Sequence, residues 1–68
     1  MTPAVSTRLL ELTRDLNNDI RIAAIYALGE GGNATLSAVN RLLELTHDSN
    51  NDIRIAATKA LGRIFRIK

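Results

Sequence analysis

The sequence predicts an all-α protein, namely a fragment of an α-solenoid built from two helical hairpins, with four helices in total. Three observations predict this class. A shift of 33 residues aligns positions 8–29 with positions 41–62 at 18 of 22 identical residues, and periods of this size are typical of stacked helical units. Apolar residues recur at spacings of three and four within each half. Segments rich in Asn and Asp, which cap helices, separate the apolar segments.

The first helix of each hairpin is predicted from an aliphatic stripe. In repeat one the stripe consists of Val5, Leu9, Leu12 and Leu16. Pro3 suits the first turn of that helix, where its missing N–H group leaves no hydrogen bond unmade. The matching set in repeat two consists of Leu36, Val39, Leu42, Leu43 and Leu45. Asn33 is the predicted N-cap of this later helix.

The second helix of each hairpin is predicted to begin at the phrase "NNDIRIAA", which occurs twice. Asn17 and Asn50 are the predicted N-caps, because a short polar side chain can accept the first free N–H groups of a helix. The predicted buried face in repeat one consists of Ile20, Ala23, Ala24, Ala27 and Leu28. The corresponding face in repeat two consists of Ile53, Ala56, Ala57, Ala60, Leu61 and Ile64. The glycines after Gly29 should end the earlier helix, whereas the last helix should continue past Gly62.

The composition favours one aliphatic domain. The 68 residues suffice for a single domain, residues 1–68, with repeat one at about 4–32 and repeat two at about 33–68. There is no Cys and only one His, so neither a disulfide framework nor a thiolate metal site is expected. No apolar run reaches the ~18 residues of a membrane span, and no secretion signal is visible. We therefore expect no membrane partner and a cytoplasmic location.

The repeated residues resemble the HEAT-repeat pattern, in which an aspartate is followed six residues later by an arginine, then by paired alanines and the letters "ALG". In repeat one the matching residues are Asp15, Ile20, Arg21, Ala23, Ala24, Ala27, Leu28 and Gly29. In repeat two they are Asp48, Ile53, Arg54, Ala56, Ala57, Ala60, Leu61 and Gly62. This form is similar to the HEAT-like repeats of phycobilisome lyases and of many prokaryotic scaffolds. The resemblance covers nearly the whole chain, and it implies a fold more specifically than a function.

The resemblance also implies a structural role for the aspartates and arginines. In such repeats these side chains hydrogen-bond within and between units, which implies a ladder of Asp15 with Arg21 and of Asp48 with Arg54. By family analogy alone, it further implies an accessory role in phycobilin attachment or turnover. The connection "GEGGNAT" departs from the pattern because it is longer and richer in Gly than the usual link. A hinge of this kind between near-identical halves favours their exchange between chains.

No catalytic, cofactor-binding or metal-binding residue is predicted. Catalytic carboxylates must converge on one cleft, whereas Asp15 and Asp48 lie one repeat apart along a solenoid. His47 replaces Arg14 of repeat one near a helix end, where a polar or cationic side chain suits the helix dipole. The glycines between 29 and 32 lack the spacing of a phosphate loop. We therefore do not expect an enzyme.

An interaction surface is predicted on the second helices, which usually line the concave side of such repeats. It consists of Ile22, Tyr26, Ile55, Lys59 and Arg63. Tyr26 and Lys59 each follow an isoleucine by four residues and therefore share its helix face. An exposed apolar end is predicted at Ile64, Phe65 and Ile67. The main prediction is a protein–protein interaction module whose first partner is another copy of itself, bound by stacking or by exchange of halves.

Nucleic-acid binding is the alternative function. It would use the cations of the second helices, which are Arg21, Arg54, Lys59, Arg63 and Arg66. The chain contains no acidic residue after Asp52, although its net charge is only +2. Nucleic-acid binders usually carry a denser basic stripe with stacking aromatic side chains, and Phe65 is the one aromatic residue in this segment. Protein binding therefore remains the main prediction.

Overall fold

The computed structural model describes residues 1–66, which form four α-helices joined by short turns. The helices are α1 (Pro3–Leu12), α2 (Asn18–Glu30), α3 (Leu36–Leu45) and α4 (Asn51–Ile64). No strand occurs among the described residues. The predicted all-α architecture, an α-solenoid fragment of two helical hairpins, is confirmed. We refer to α1 and α2 as repeat one, and to α3 and α4 as repeat two.

Each helix begins at a polar side chain that accepts the hydrogen bonds of its first turn. Asn17 Oδ1 accepts from the backbone N–H groups of Asp19 (2.8 Å) and Ile20 (3.1 Å). Asn50 Oδ1 accepts from Ile53 N at 3.1 Å. The predicted N-caps of α2 and α4 are therefore confirmed, and α4 continues past the second glycine as expected.

The turn between α1 and α2 excludes Leu16 from the predicted stripe. The helix ends at Leu12, and Asn17 must adopt an extended backbone (φ −86°, ψ 121°) to cap α2. A helix cannot continue into a residue with that conformation. Leu16 therefore lies in the turn, where its side chain is fully exposed.

The two repeats pack side by side, and the most extensive contact between them joins α2 to α4. The core lies at this contact and consists of Ile25, Leu42, Leu45, Ile53, Ala56, Ala57 and Ala60. Gly29 allows the close approach: a Cβ atom there would lie 2.7 Å from Ala60 Cα and 2.9 Å from Ala60 Cβ. The equivalent Gly62 faces open space, so the same letters "ALG" serve different purposes in the two repeats.

The predicted buried face of α2 is wrong at two positions. Ile20 is 41% exposed, whereas the equivalent Ile53 is 0% exposed. Ala23 is likewise exposed and its equivalent Ala56 is buried. The reason is that α2 packs on repeat two through Ile25, which lies in the shared core, whereas Ile20 and Ala23 lie on a part of its apolar surface that repeat two does not cover. A helical repeat has two packing sides, and sequence periodicity does not say which side is covered.

The predicted stripe of α3 also differs from the structure. Leu42 and Leu45 are buried, but Leu36 and Leu43 are exposed on the outside of the helix.

The connection between the repeats is held by Asn33, which is buried. Its Nδ2 donates to Ser6 Oγ at 2.9 Å, and its Oδ1 accepts from Thr35 N at 3.2 Å.

The N-cap of α3 is Thr35 rather than the predicted Asn33. Thr35 Oγ1 accepts from Ala38 N at 3.3 Å. Gly32 turns the chain between the two repeats with φ +62°, a conformation that favours glycine. Asn33 follows that turn, so its side chain serves the connection and not the helix end.

Candidate interaction surfaces

Arg21 links the two repeats, because its side chain contacts the turn between the two helices of each hairpin. Its Nη2 donates to Asp48 Oδ1 at 2.8 Å, and its Nε donates to the backbone carbonyl of Thr13 at 3.1 Å. Both charged side chains are largely buried, with 16% exposure for Arg21 and 22% for Asp48. The ion pair therefore joins α2 to the turn that precedes α4, and it fixes the register of the two hairpins.

Arg41 of α3 donates hydrogen bonds to the same turn of repeat one. Its Nε donates to Thr13 Oγ1 at 3.0 Å, and its Nη2 donates to the Thr13 carbonyl at 3.2 Å. The Thr13 side chain is buried, and its hydroxyl donates to Leu10 O at 2.6 Å. Burial lowers the pKa of the Arg41 guanidinium, with a further lowering from the nearby charge of Arg14.

The ladder implied by the resemblance takes a different form in the structure. Arg21 pairs with Asp48 of the other repeat, and Asp15 accepts from Asn17 N at 2.9 Å. Arg54 Nη1 donates to the backbone carbonyl of Asp48 at 2.7 Å, and its Nη2 donates to Asn51 Oδ1. The structure thus brings Arg21 and Asp48 together between repeats, and it brings Arg54 to the Asp48 main chain within a repeat.

The link from Arg41 to Thr13 was not predicted from the sequence. The available signal was the segment "RLLELT", which is identical in both repeats. Such a segment indicates an aliphatic helix stripe, and its spacing alone does not distinguish a bonded arginine from a solvated one. The ion pair of Arg63 with Glu30 was also not predicted, although these residues occupy equivalent positions in the two repeats and have opposite charge.

The carboxyl group of Asp48 has a pKa below its ordinary value of 3.8, first because of the hydrogen bond from Arg21 and second because of the one from Asn50 N. A group whose pKa is lower in the folded state stabilises the fold above its unfolded-state pKa. Asp48→Asn should therefore destabilise the protein at neutral pH by about 1–2 kcal/mol, because it removes a hydrogen bond between charged partners. The difference from wild type should begin to shrink as the pH falls below 3.8, where Asp48 is protonated in the unfolded state, and it should be lost once the pH also falls below the lower pKa of the folded state.

Urea unfolding between about pH 2 and about pH 7 measures this difference. Asp15→Asn is the matched control, because its carboxylate bonds only to Asn17 N among the described residues. Equal losses for the two variants at neutral pH would contradict the role given to Asp48.

The two ends of the molecule carry surfaces that are equivalent to the two sides of the interface between its repeats, but these surfaces are uncovered and differ at a few positions. We define the C-end face by its residues in repeat two, which are Thr46, Arg54, Ile55, Thr58, Lys59 and Gly62. The first five line a shallow hollow. The residues 33 positions earlier are Thr13, Arg21, Ile22, Ile25, Tyr26 and Gly29, and these lie against repeat two. The C-end face is therefore the unfilled equivalent of the internal interface.

We define the N-end face by its residues in repeat one, which are Val5, Leu9, Leu12, Ile20, Ala23 and Ala27. All are exposed or half-buried. The residues 33 positions later are Ala38, Leu42, Leu45, Ile53, Ala56 and Ala60, and all six are buried. Repeat two buries this surface against repeat one. Repeat one has the equivalent surface, but in repeat one it faces solvent.

The predicted interaction surface is divided between these environments. Ile22 and Tyr26 are half-buried and pack against the core. Ile55 is 50% exposed, and Lys59 is exposed beside it on the C-end face. Arg63 is exposed and pairs with Glu30 of α2. Only the part in repeat two is therefore available to a partner in this structure.

The predicted apolar end is partly covered. Ile64 is half-buried and packs against the core, which agrees with its place on the predicted buried face of α4 and leaves it only partly available at the predicted apolar end. Phe65 ends α4 and is 51% exposed. Ile67 lies outside the described residues.

Within residues 1–66, no cluster of His, Cys, Asp or Glu side chains has the arrangement of a metal site. His47 is exposed in the turn before α4. The helices of this part of the chain are all too short or too polar to span a bilayer.

Comparison with known families matches residues 6–66 to HEAT repeats. No curated protein and no solved structure gives a significant match. HEAT repeats generally mediate protein–protein interaction and are typically non-catalytic scaffold modules. Because the match spans most of the chain, and because its helices pack as two adjacent hairpins, this protein belongs to the HEAT-repeat family.

Proposed function

We propose that this chain is a non-catalytic HEAT-repeat module for protein–protein interaction, and that its partner is another copy of itself. One observation carries the proposal. Ile20 and Ala23 are exposed on the N-end face, whereas the equivalent Ile53 and Ala56 are buried against repeat one. Burial of these apolar side chains stabilises the contact in repeat two, and burial of the equivalent side chains in repeat one would be favourable in the same way. A second copy supplies a surface against which they can be buried.

Stacking of intact chains is favoured over exchange of halves. Asn33 anchors the connection between the repeats to Ser6 of α1, and Asn33 N donates to Leu28 O at 3.2 Å. Exchange would break these hydrogen bonds and would also separate α2 from α4 before the same contacts formed again between chains. Stacking leaves the interior of each chain unchanged and covers only the end faces.

Analytical ultracentrifugation from about 1 μM to about 1 mM tests the proposal. We expect the average molar mass to rise above the 7.4 kDa of one chain as concentration increases. A folded protein that keeps the mass of one chain throughout this range would contradict self-association. The same samples should keep their helical circular dichroism spectrum, which separates association from aggregation of unfolded chains.

Nucleic-acid binding is less well supported, because several of the cations it needs have partners. Arg21 pairs with Asp48 and Arg63 pairs with Glu30, while Arg54 donates to Asp48 O. Phosphate contacts would make the affinity fall steeply with salt concentration. Titration of a labelled oligonucleotide at two salt concentrations should give no salt-sensitive binding.

A phycobilisome-lyase type of repeat and a role in phycobilin attachment remain predictions from the sequence resemblance alone. A spectroscopic titration with a free bilin tests them, and an unchanged absorption spectrum would remove them. A cytoplasmic location likewise remains a prediction.

A further inference from the structure

We propose that the chains stack head to tail, with the N-end face of one copy on the C-end face of the next, so that each contact repeats the interface inside the chain. This inference rests on the proposed self-association and specifies its polarity. Applying the relation between repeat one and repeat two a second time carries the N-end face of a new copy onto the C-end face. The result is an open stack that continues the solenoid.

The N-end face of repeat one is almost the same as the surface with which repeat two packs on repeat one. Seven residues of repeat two are in contact with repeat one or are buried at the interface and have an identical equivalent in repeat one. The equivalents are Arg8, Leu9, Leu12, Asp15, Ile20, Ala23 and Ala27, which correspond to Arg41, Leu42, Leu45, Asp48, Ile53, Ala56 and Ala60. One residue of the N-end face differs: Val5 replaces Ala38. A surface that fits repeat one therefore exists twice in each chain, and only one of the two is covered.

The polar contacts can also be repeated with the correct charges. Arg54 of one copy would pair with Asp15 of the next, as Arg21 pairs with Asp48 inside the chain. This leaves the present contact of Arg54 with Asn51 possible, because Arg21 keeps the equivalent contact to Asn18 (3.4 Å) while it binds Asp48. Oppositely charged partners placed in register favour one orientation of the two copies.

Two further contacts follow the same relation. Arg8 would donate to Thr46 of the preceding copy, as Arg41 donates to Thr13. Gly62 would lie against Ala27 of the next copy, as Gly29 lies against Ala60. Gly62 now faces open space on α4, which leaves room for a neighbouring helix at the distance found between α2 and α4.

The receiving surface is weaker than its internal equivalent at two positions. Thr58 replaces the buried Ile25, and Lys59 replaces the half-buried Tyr26. Thr58 Oγ1 donates to Arg54 O at 2.8 Å, so a second copy can cover this hydroxyl without leaving its proton unpaired. The lost apolar contact lowers the affinity of the stack relative to the internal interface and makes association dependent on concentration.

Blocked variants test the polarity. Ala23→Arg places a long cation on the N-end face, and Thr58→Arg places one on the C-end face, at positions that are exposed in the single chain. Each variant alone should remain monomeric, because every contact in the stack needs one N-end face and one C-end face and all copies of the variant have the same face blocked. Mixed in equal amounts, they should form a 1:1 heterodimer that grows no further. Thr7→Arg, an exposed position on α1 outside both faces, is the matched control and should associate as wild type does.

A gain of affinity provides the second arm. Thr58→Ile restores the residue of repeat one and should tighten association at least about tenfold, because it buries additional apolar surface. The same change combined with Ala23→Arg should remain a single chain, which distinguishes the contact from non-specific aggregation. Circular dichroism checks that every variant is folded.

The outcomes separate this inference from the proposed function. Growth of wild type without a fixed end point, together with a heterodimer of the two blocked variants, supports head-to-tail stacking. Self-association of either blocked variant alone would overturn the polarity but leave self-association intact. A wild type and a Thr58→Ile variant that both remain single chains would overturn the inference and the proposed function together.

Discussion

Replacing Ile53 with alanine should lower the free energy of unfolding by about 2–4 kcal/mol, whereas Ile20→Ala should cost less than about 1 kcal/mol. The two residues occupy the same place in the phrase "NNDIRIAA". Ile53 is 0% exposed in the core between α2 and α4, and its removal leaves a cavity among close-packed side chains. Ile20 is 41% exposed and loses less burial.

Urea unfolding at one low protein concentration measures this pair, because association would otherwise add to the apparent stability. Ile53→Val is a milder control and should cost about 0.5–1.5 kcal/mol, which keeps the comparison measurable if the alanine variant unfolds. Equal costs for Ile20→Ala and Ile53→Ala would show that the two repeats are not covered differently. At high concentration Ile20→Ala should instead weaken association, since Ile20 belongs to the N-end face.

Gly29→Ala should destabilise the protein by about 1–3 kcal/mol, whereas Gly62→Ala should stabilise a single chain by about 0.5–1 kcal/mol. Both glycines lie inside helices, where alanine is the better helix former. At Gly29 the new methyl group would meet the backbone of α4, 2.7 Å from Ala60 Cα, so the two helices must separate. At Gly62 no atom lies within 4 Å of the new methyl group.

Thermal unfolding followed by circular dichroism distinguishes the two variants, because 1 kcal/mol moves the midpoint of a domain of this size by about 4–8 °C. The comparison needs a dilute sample, since in the proposed stack Gly62→Ala would press against Ala27 of the next copy and weaken association. A stabilising effect of Gly29→Ala would mean that α2 and α4 do not approach as closely as described.

Much of the local structure follows from residues that act within one or two helical turns. Asn17 and Asn50 cap their helices wherever the chain places them, because the cap depends on N–H groups only two or three residues away. The spacing of aliphatic residues likewise identifies the helices, and a repeat of 33 residues identifies hairpins that pack on one another. These interactions are local, so one sequence is enough to predict them.

Which of two nearly identical surfaces is covered depends on neighbours that are far apart in sequence. Ile20 and Ile53 stand in the same eight-residue phrase, but only Ile53 lies against another repeat. The Arg41–Thr13 contact and the pairing of Arg21 with Asp48 join residues 28 and 27 positions apart. The spacing of residues within a helix contains no information on such pairs. The sequence therefore does not predict the Arg41–Thr13 contact, and it does not show that Arg21 pairs with Asp48 of the other repeat.

Four helices in two similar hairpins follow from the order of the residues, because caps, helical spacing and the repeat all act over short distances in the chain. The close approach of α2 to α4 at Gly29, and the uncovered equivalent of this contact at each end, are visible only once the helices are packed. Burial depends on the neighbour as well as on the residue itself. Two identical segments therefore differ in what they contribute to stability and in what they offer to a partner.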